Sequence, residues 1–202
     1  MDTNALFHLE SGLYLLSTKG EKDNACIINT VMQVTADPVR ITVAINQSNY
    51  THDLLCNSQK LNVSVLTQNA PFSLFSDFGY VSGREKDKFA GRKDISRSAN
   101  GIYYLTQHSN AYLSAEVTKQ IHLTTHTLFL CDITDAVVLS DIPTITYDYY
   151  QKNVKPQNPI QNSAKKKGYI CEVCGYIYEG NELPEGYICP ICKHGTEAFR
   201  PL

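Results

Sequence analysis

β-Branched and aromatic residues crowd into a series of short runs: LYLLST (13–18), RITVAIN (40–46), LNVSVLT (61–67), AYLSAEVT (111–118) and HTLFLCDITDAVVL (126–139). Several alternate apolar with polar positions, the period of a strand with one buried face. Short helices fit between them at NALFHLE (4–10), NYTHDLLCNS (49–58) and PFSLFSDF (71–78). Strands at this spacing with few long helices predict a mainly β fold, a closed or nearly closed antiparallel barrel rather than a doubly wound sheet. No GxGxxG or GxxxxGK[ST] loop occurs, which argues against Rossmann or P-loop nucleotide chemistry.

The pattern stops near residue 155. KPQNPIQNSAKKKG (155–168) has prolines, amides and a lysine triplet with almost nothing to bury, so it reads as an exposed linker between a domain at 1–154 and a small module at 169–202. A flexible chain of that length spans roughly 20 Å, enough to let the module visit its neighbour's surface.

Composition narrows the class. The 202 residues are 43% hydrophobic and carry a net charge of −2, values of a soluble globular protein with no general affinity for nucleic acid. The opening MDTNALFHLE lacks a basic stretch followed by an apolar one, and no apolar run approaches the roughly 20 residues needed to cross a bilayer. A cytoplasmic location without membrane attachment is expected. Of the seven cysteines, Cys26, Cys56 and Cys131 are scattered singly, whereas four fall in two close pairs. That distribution points to a metal in a reducing compartment, not to a disulfide framework.

The pairs are YICEVCGYIY (169–178) and YICPIC (187–192). Each C-x-x-C turn brings two thiolates to one ion, so Cys171, Cys174, Cys189 and Cys192 complete a tetrahedral four-sulfur site. Spacing alone leaves iron and zinc open, since a zinc ribbon also staples a module too small to hold together by burial. The flanking CGYIY, CPIC and the aromatics Tyr169, Tyr176 and Phe199 resemble rubredoxin in the short-loop form found at the end of rubrerythrins. The resemblance covers 169–202 and implies one iron, with zinc as the alternative. Gly175 is expected to close the first turn in a left-handed conformation that points N–H groups at the sulfurs. Lys193 stands where rubredoxins often have glycine, and Tyr187 where tryptophan is common before the C-P turn. Glu172, Glu179, Glu182, Glu185 and Glu197 make the module acidic.

Within the first domain NACIINTVMQVTADP (24–38), NQSNYTHD (46–53), FGYVSGREKDKF (78–89) and HTLFLCDITDA (126–136), in that order, resemble the flavin reductase family with its FMN-binding split β-barrel. Together with the C-terminal module the chain resembles the fusion family of high-molecular-weight rubredoxins. The resemblance implies FMN, whose phosphate and polyhydroxyl chain call for hydroxyl, amide and N–H donors plus a cation. Asn29 and Thr30, in a strand-like run, are placed at the ribityl chain and ring edge. Asn49, Thr51 and His52 lie at a helix start that favours an anion. Ser82, Arg84 and Lys88 add donors and charge. The plain alternatives are a helix cap for Thr51 and a solvated lysine for Lys88. His126 precedes the L-F pair, where the family has a histidine near flavin and nicotinamide; here Thr125 replaces the usual acid, and an ordinary strand histidine is the alternative.

Arg84, Lys86, Lys88, Arg92, Lys93 and Arg97 form a basic loop that binds phosphate in part and attracts the acidic module in part, unless it is simply hydrated. The expected function is an electron-transfer flavoprotein. It takes electrons from NAD(P)H, directly or through a rubredoxin reductase, and passes them by FMN to an Fe(Cys)4 centre. The resemblance implies a flavodiiron oxygen or nitric oxide reductase as acceptor and a homodimer as the assembly. The rivals are a free-flavin reductase and a barrel carrying a structural zinc-ribbon interaction module.

Overall fold

The computed structural model describes Ala5, residues 8–156, 168–171, 176–189 and 194–201. It separates into two units, Met1–Lys155 and Pro156–Leu202. The helix expected over 4–10 and the linker expected over 155–168 fall in part outside the described residues.

Seven strands build the sheet of the first unit: β1 (Tyr14–Thr18), β2 (Asn24–Ile28), β3 (Val31–Ala36), β4 (Val39–Asn46), β5 (Lys60–Leu66), β8 (Ser109–His122) and β9 (His126–Val138). Their order is β2-β1-β5-β8-β9-β4-β3, and every pairing is antiparallel. Each strand foreseen from the apolar pattern is present, within a few residues at its ends. A two-stranded hairpin, β6 (Ile95–Arg97) with β7 (Tyr103–Leu105), adds a flap that the sequence pattern did not announce.

Alternation sorts the side chains into two cores. One gathers Leu16, Cys26, Ile41, Val43, Ile45, Val63, Ala115, Phe129 and Cys131 with Leu55 of α1 (Tyr50–Ser58). Residues from both ends of the strand order share this cluster, so the sheet curls around it. The other core lies on the opposite face of β1, where Leu15 packs with Leu74, Phe75 and Phe78 of α2 (Phe72–Gly79), with Phe89 and with Tyr150. Leu15, Leu16, Phe78 and Phe129 are fully buried, and each such side chain contributes about 1.5–3 kcal/mol. Tyr150 opens a π-helical turn, Tyr150–Val154, that follows the short α3 (Tyr147–Tyr149).

The second unit has a three-stranded sheet of β10 (Tyr169–Cys171), β11 (Ile177–Tyr178) and β12 (Phe199–Pro201), with β10 in the middle. Its buried cluster, among the described residues, is Cys171, Cys189 and Ala198, packed by Tyr176 and Phe199. With so few apolar side chains buried among the described residues, a crosslink at the cysteines would add markedly to the cohesion of a module of this size.

Candidate functional site

The C-terminal cysteines sit in two matching turns. Cys171 N–H donates to the Tyr176 carbonyl at 2.8 Å, and Cys189 N–H donates to the His194 carbonyl at the same distance. In each case the bond reaches five residues forward and closes a loop that contains the second cysteine of the pair. Both described thiols are fully buried. Cys174 and Cys192, and with them Gly175 and Lys193, lie outside the described residues. Two buried sulfurs in like-built turns, in a module with few buried apolar side chains among the described residues, fit a tetrathiolate metal centre. Tyr187 fills the aromatic slot beside it, 4.8 Å from the Tyr178 ring and edge-on to Phe199. Its hydroxyl donates to Tyr176, and that bond together with burial pushes the Tyr187 phenol up to about 12.

In the barrel, the end of β4 and the start of α1 organise the expected residues. Asn49 caps α1, accepting the Thr51 N–H at 3.1 Å on its side-chain oxygen. Thr30 bonds both the carbonyl and the N–H of Ala44, and His126 pairs with Asn46 in the β4–β9 ladder. On the β4–α1 side these three contacts all fall between residues 44 and 51. Asn29 and Thr30 occupy the turn between β2 and β3 and are exposed, where the sequence suggested a strand-like run. His126 is half-buried, and its Nδ1 lies 2.8 Å from Thr125 Oγ1. A hydroxyl thus orients the ring at the position where an acid was missed.

The loop after α2 folds over the same helix end. Ser82 Oγ accepts the Arg84 N–H, and the Arg84 guanidinium bonds Asp53 at 2.6 Å and stands 5.0 Å above the Tyr50 ring. Gly83 between them lies directly on Asn24, because a Cβ there would sit 2.2 Å from Asn24 Oδ1. Asn24 in turn donates from Nδ2 to Thr51 Oγ1 at 2.9 Å. The structure therefore brings Asn49, Ser82 and Arg84 together at the mouth of α1, an anion-favouring place by both charge and dipole.

Three expected contacts point elsewhere. The Thr51 hydroxyl is fully buried against Asn24, so it faces the interior. His52 is buried too, with Nε2 2.9 Å from Thr127 Oγ1 and Nδ1 3.3 Å from Asp53. Lys88 is neither solvated nor open: its Nζ donates to the carbonyls of Ala25 and Phe78 at 2.9 and 2.8 Å. Burial lowers its pKa, partly offset by Cys26 nearby.

The same engagement runs through the basic loop. Arg92 pairs with Asp77 and Asp94, and Arg97 pairs with Asp23 while lying 3.8 Å over the Tyr103 ring. With Arg84 and Lys88 that makes four of the six cations engaged in described ion pairs or hydrogen bonds, although Arg84 and Arg97 remain exposed alongside Lys86 and Lys93. The free basic patch inferred from the sequence is therefore much reduced. Beside it lies a cavity of about 780 Å³ lined by Lys19, Asp23, Asp87, Arg97 and Tyr103 among others. Sequence reasoning missed Asn24, Asp53, Gly83 and Thr127; the only available signal was a polar residue heading the apolar run NACII.

Against the flavin, the donor set fits. An acyclic chain ending in a phosphate would meet the exposed Arg84 guanidinium and the free N–H groups at the mouth of α1, with Ser82 beside them.

Comparison with known proteins identifies both parts of the chain. Residues 6–156 match the flavin reductase like domain, and residues 169–200 match the rubrerythrin, rubredoxin-like domain. The chain is 38% identical over 192 residues to the high molecular weight rubredoxin of Moorella thermoacetica, covering 89% of this chain and 83% of the relative. It is 34% identical to the ferric-chelate reductase (NAD(P)H) of Archaeoglobus fulgidus, covering 79% of this chain and 94% of the relative. Among solved structures, the NADH:FAD oxidoreductase of Streptomyces globisporus superposes with a TM-score of 0.65 at 16% identity, over 70% of this chain and 83% of that one. The FMN-binding protein of Thermus thermophilus gives 0.60 at 21% identity, over 65% and 72%. At those identities the likeness is one of fold.

Proposed function

Because the chain belongs to the flavin reductase like family and carries a rubredoxin-like domain after it, we propose that it is an electron-transfer flavoprotein in which NAD(P)H-derived electrons pass through FMN to an Fe(Cys)4 centre. The observation that carries the reading is the coexistence, in one chain, of a phosphate-fitted helix mouth and two buried thiols in matching turns. Flavin accepts electrons in pairs and yields them singly, and a tetrathiolate iron takes one at a time, so the two groups are chemically consecutive.

The residues divide the work. Ser82, Arg84 and the N-terminus of α1 under Asn49 hold the phosphate. Thr51, His52 and Lys88 stand one layer behind and fix the walls, each by a buried hydrogen bond. Asn29 and Thr30 border the ring edge, and His126, held by Thr125, faces the nicotinamide side. Cys171, Cys174, Cys189 and Cys192 hold the iron. Electrons enter from NAD(P)H directly or through a rubredoxin reductase and leave to a flavodiiron-type acceptor. The domain limits are 1–154 and 169–202 with the linker between, and the location is the cytoplasm. No helix among the described residues is long and apolar enough to cross a membrane.

A homodimer completes the reading. Edge strand β3 is exposed along most of its length, and Met32, Ile121 and Leu123 leave 63%, 41% and 53% of their surface to solvent. An apolar rim of this kind is a candidate subunit contact.

Purification of the full chain tests the assignment of cofactors. The expected product is coloured, retains one FMN through gel filtration and contains one iron per chain. Zinc in its place, or loss of the flavin on the column, would instead favour the zinc-ribbon or free-flavin alternatives.

A further inference from the structure

We infer that Gln47 is a positioning residue of the nicotinamide side, clamping through its backbone and its carboxamide the hairpin tip that carries His126. The inference rests on the reading that His126 faces the nicotinamide, and it gives a role to a residue of NQSNYTHD that neither the motifs nor the charge map singled out.

His126 opens β9 just beyond the tip of the β8–β9 hairpin. The tip, residues 123–125, is exposed, and Leu123 leaves 53% of its surface to solvent. Its own closure is a bond from the Leu123 N–H to the His126 carbonyl at 2.8 Å. Gln47, half-buried after the end of β4, reaches the tip from outside the hairpin. Its N–H donates to the Thr125 carbonyl at 3.0 Å, and Nε2 donates to the carbonyls of Leu123 at 3.0 Å and of His126 at 3.3 Å. A carboxamide nitrogen carries two hydrogens, and here two carbonyls accept them. The loop that presents Gln47 is itself pinned. Asn46 Oδ1 accepts both the N–H and the hydroxyl of Ser48, and the Asn46 carbonyl accepts the N–H of Asn49, the cap of α1. Thr125 Oγ1, 2.8 Å from His126 Nδ1, sets the rotation of the ring, while Gln47 sets where its backbone stands. A ring carried on an unanchored tip presents no fixed face to a second ring, and a small displacement of such a group costs binding and rate.

Two measurements on the full chain separate the clamp from its consequence. The first is amide hydrogen exchange at Leu123, whose N–H belongs to the tip. Gln47→Met keeps the stem without a donor and should exchange about fivefold faster there than the wild type, and Gln47→Lys, which supplies a donor of similar reach, should return most of the protection. The second is binding of tetrahydro-NADH and tetrahydro-NADPH, whose rings cannot give hydride, to the FMN-loaded chain, followed by the change in flavin absorbance. Gln47→Met should weaken the tighter of the two about fivefold, and should add nothing once His126→Ala is present, because its effect runs through that ring. FMN binding should stay within about twofold of the wild type. Unchanged exchange or unchanged analogue binding in Gln47→Met overturns the inference, and so does an equal loss in the two backgrounds or a loss of FMN binding of the same size. His126→Ala alone tests the underlying reading, because it should weaken the analogue. If it does not, or if the wild type binds neither analogue, His126 does not face the nicotinamide, and the inference falls with that reading even where the exchange result stands.

Discussion

Asp53 holds the guanidinium of Arg84 at 2.6 Å, so the one exposed cation at the mouth of α1 is shared with a carboxylate of the same helix. A phosphate arriving there must compete with Asp53 for Arg84. Both side chains are about half exposed, and a pair of that kind is worth about 0–1 kcal/mol. Replacing Asp53 by Asn should release Arg84 and tighten FMN binding by about two- to fivefold, since 1.4 kcal/mol corresponds to tenfold. Riboflavin, lacking the phosphate, should bind as before. Weaker FMN binding in Asp53→Asn would show that the carboxylate orients Arg84 rather than competing for its charge.

The same pair has a pH signature. Burial raises the Asp53 carboxyl somewhat, but hydrogen bonds from Arg84 and His52 outweigh it and hold the group below its usual range. A carboxylate with a depressed folded pKa contributes stability that is complete above its unfolded value, near 3.9, and is lost as pH falls through the folded value. Following the Asp53 carboxyl resonance by NMR should give a midpoint below that of an unperturbed aspartate in the wild type, and a higher midpoint in Arg84→Ala.

Lys88 provides a contrast between charge and architecture. Its ammonium donates to two main-chain carbonyls, Ala25 on β2 and Phe78 on α2, and so ties the second core to the sheet. Lys88→Met keeps the length of the stem but strands both carbonyls, a loss of about 1–3 kcal/mol for each group left buried and unsatisfied. The melting temperature of the flavin-free protein should fall by several degrees. An unchanged melting temperature, with FMN binding alone weakened, would place the lysine at the ligand.

Most of the fold was legible because strands and capped helices write themselves locally. The alternation in RITVAIN returns as the half-buried β4, with Ile41, Val43 and Ile45 inside, whereas the cap of α1 is Asn49 and not Thr51, which lies within the helix. What escaped depends on partners far along the chain. Ile95–Arg97 carries no alternation long enough to be read, and it is a strand only because Tyr103–Leu105 returns beside it. Lys88 lies in a run of charges that reads as hydrated, and only the fold brings it under Ala25, 63 residues earlier. His52 faces a threonine 75 residues away. The residues that the sequence grouped at a phosphate, Asn49, Ser82 and Arg84, thus meet at the start of α1, while the direction of each side chain there was set by tertiary packing.

The three isolated cysteines separate by environment. Burial pushes the Cys131 thiol up to about 12, with Asp132 adding to it, and burial also raises Cys26. The Cys56 thiol is raised as well, by burial and by Asp53, but it is only half-buried on α1, with its sulfur 3.6 Å from His52 Nε2. The thiolate is the reacting species, so iodoacetamide at pH 8 should alkylate Cys56 in the native chain and reach Cys26 and Cys131 only after unfolding. Peptide mass spectrometry should show at least a tenfold difference in rate. Native labelling of Cys26 or Cys131 at the rate of Cys56 would contradict the burial of those two positions.

The central claim is that flavin and iron are consecutive stations for electrons, and an anaerobic visible-spectrum titration of the full chain with NADH tests it most directly, run with and without an added rubredoxin reductase. The flavin and iron bands are followed separately. The account predicts that both bands bleach in at least one arm, with the iron taking up one electron per chain, and that the iron band stops responding in a variant stripped of flavin when no reductase is present. Failure of both bands to bleach in both arms would contradict the proposed direction of electron flow.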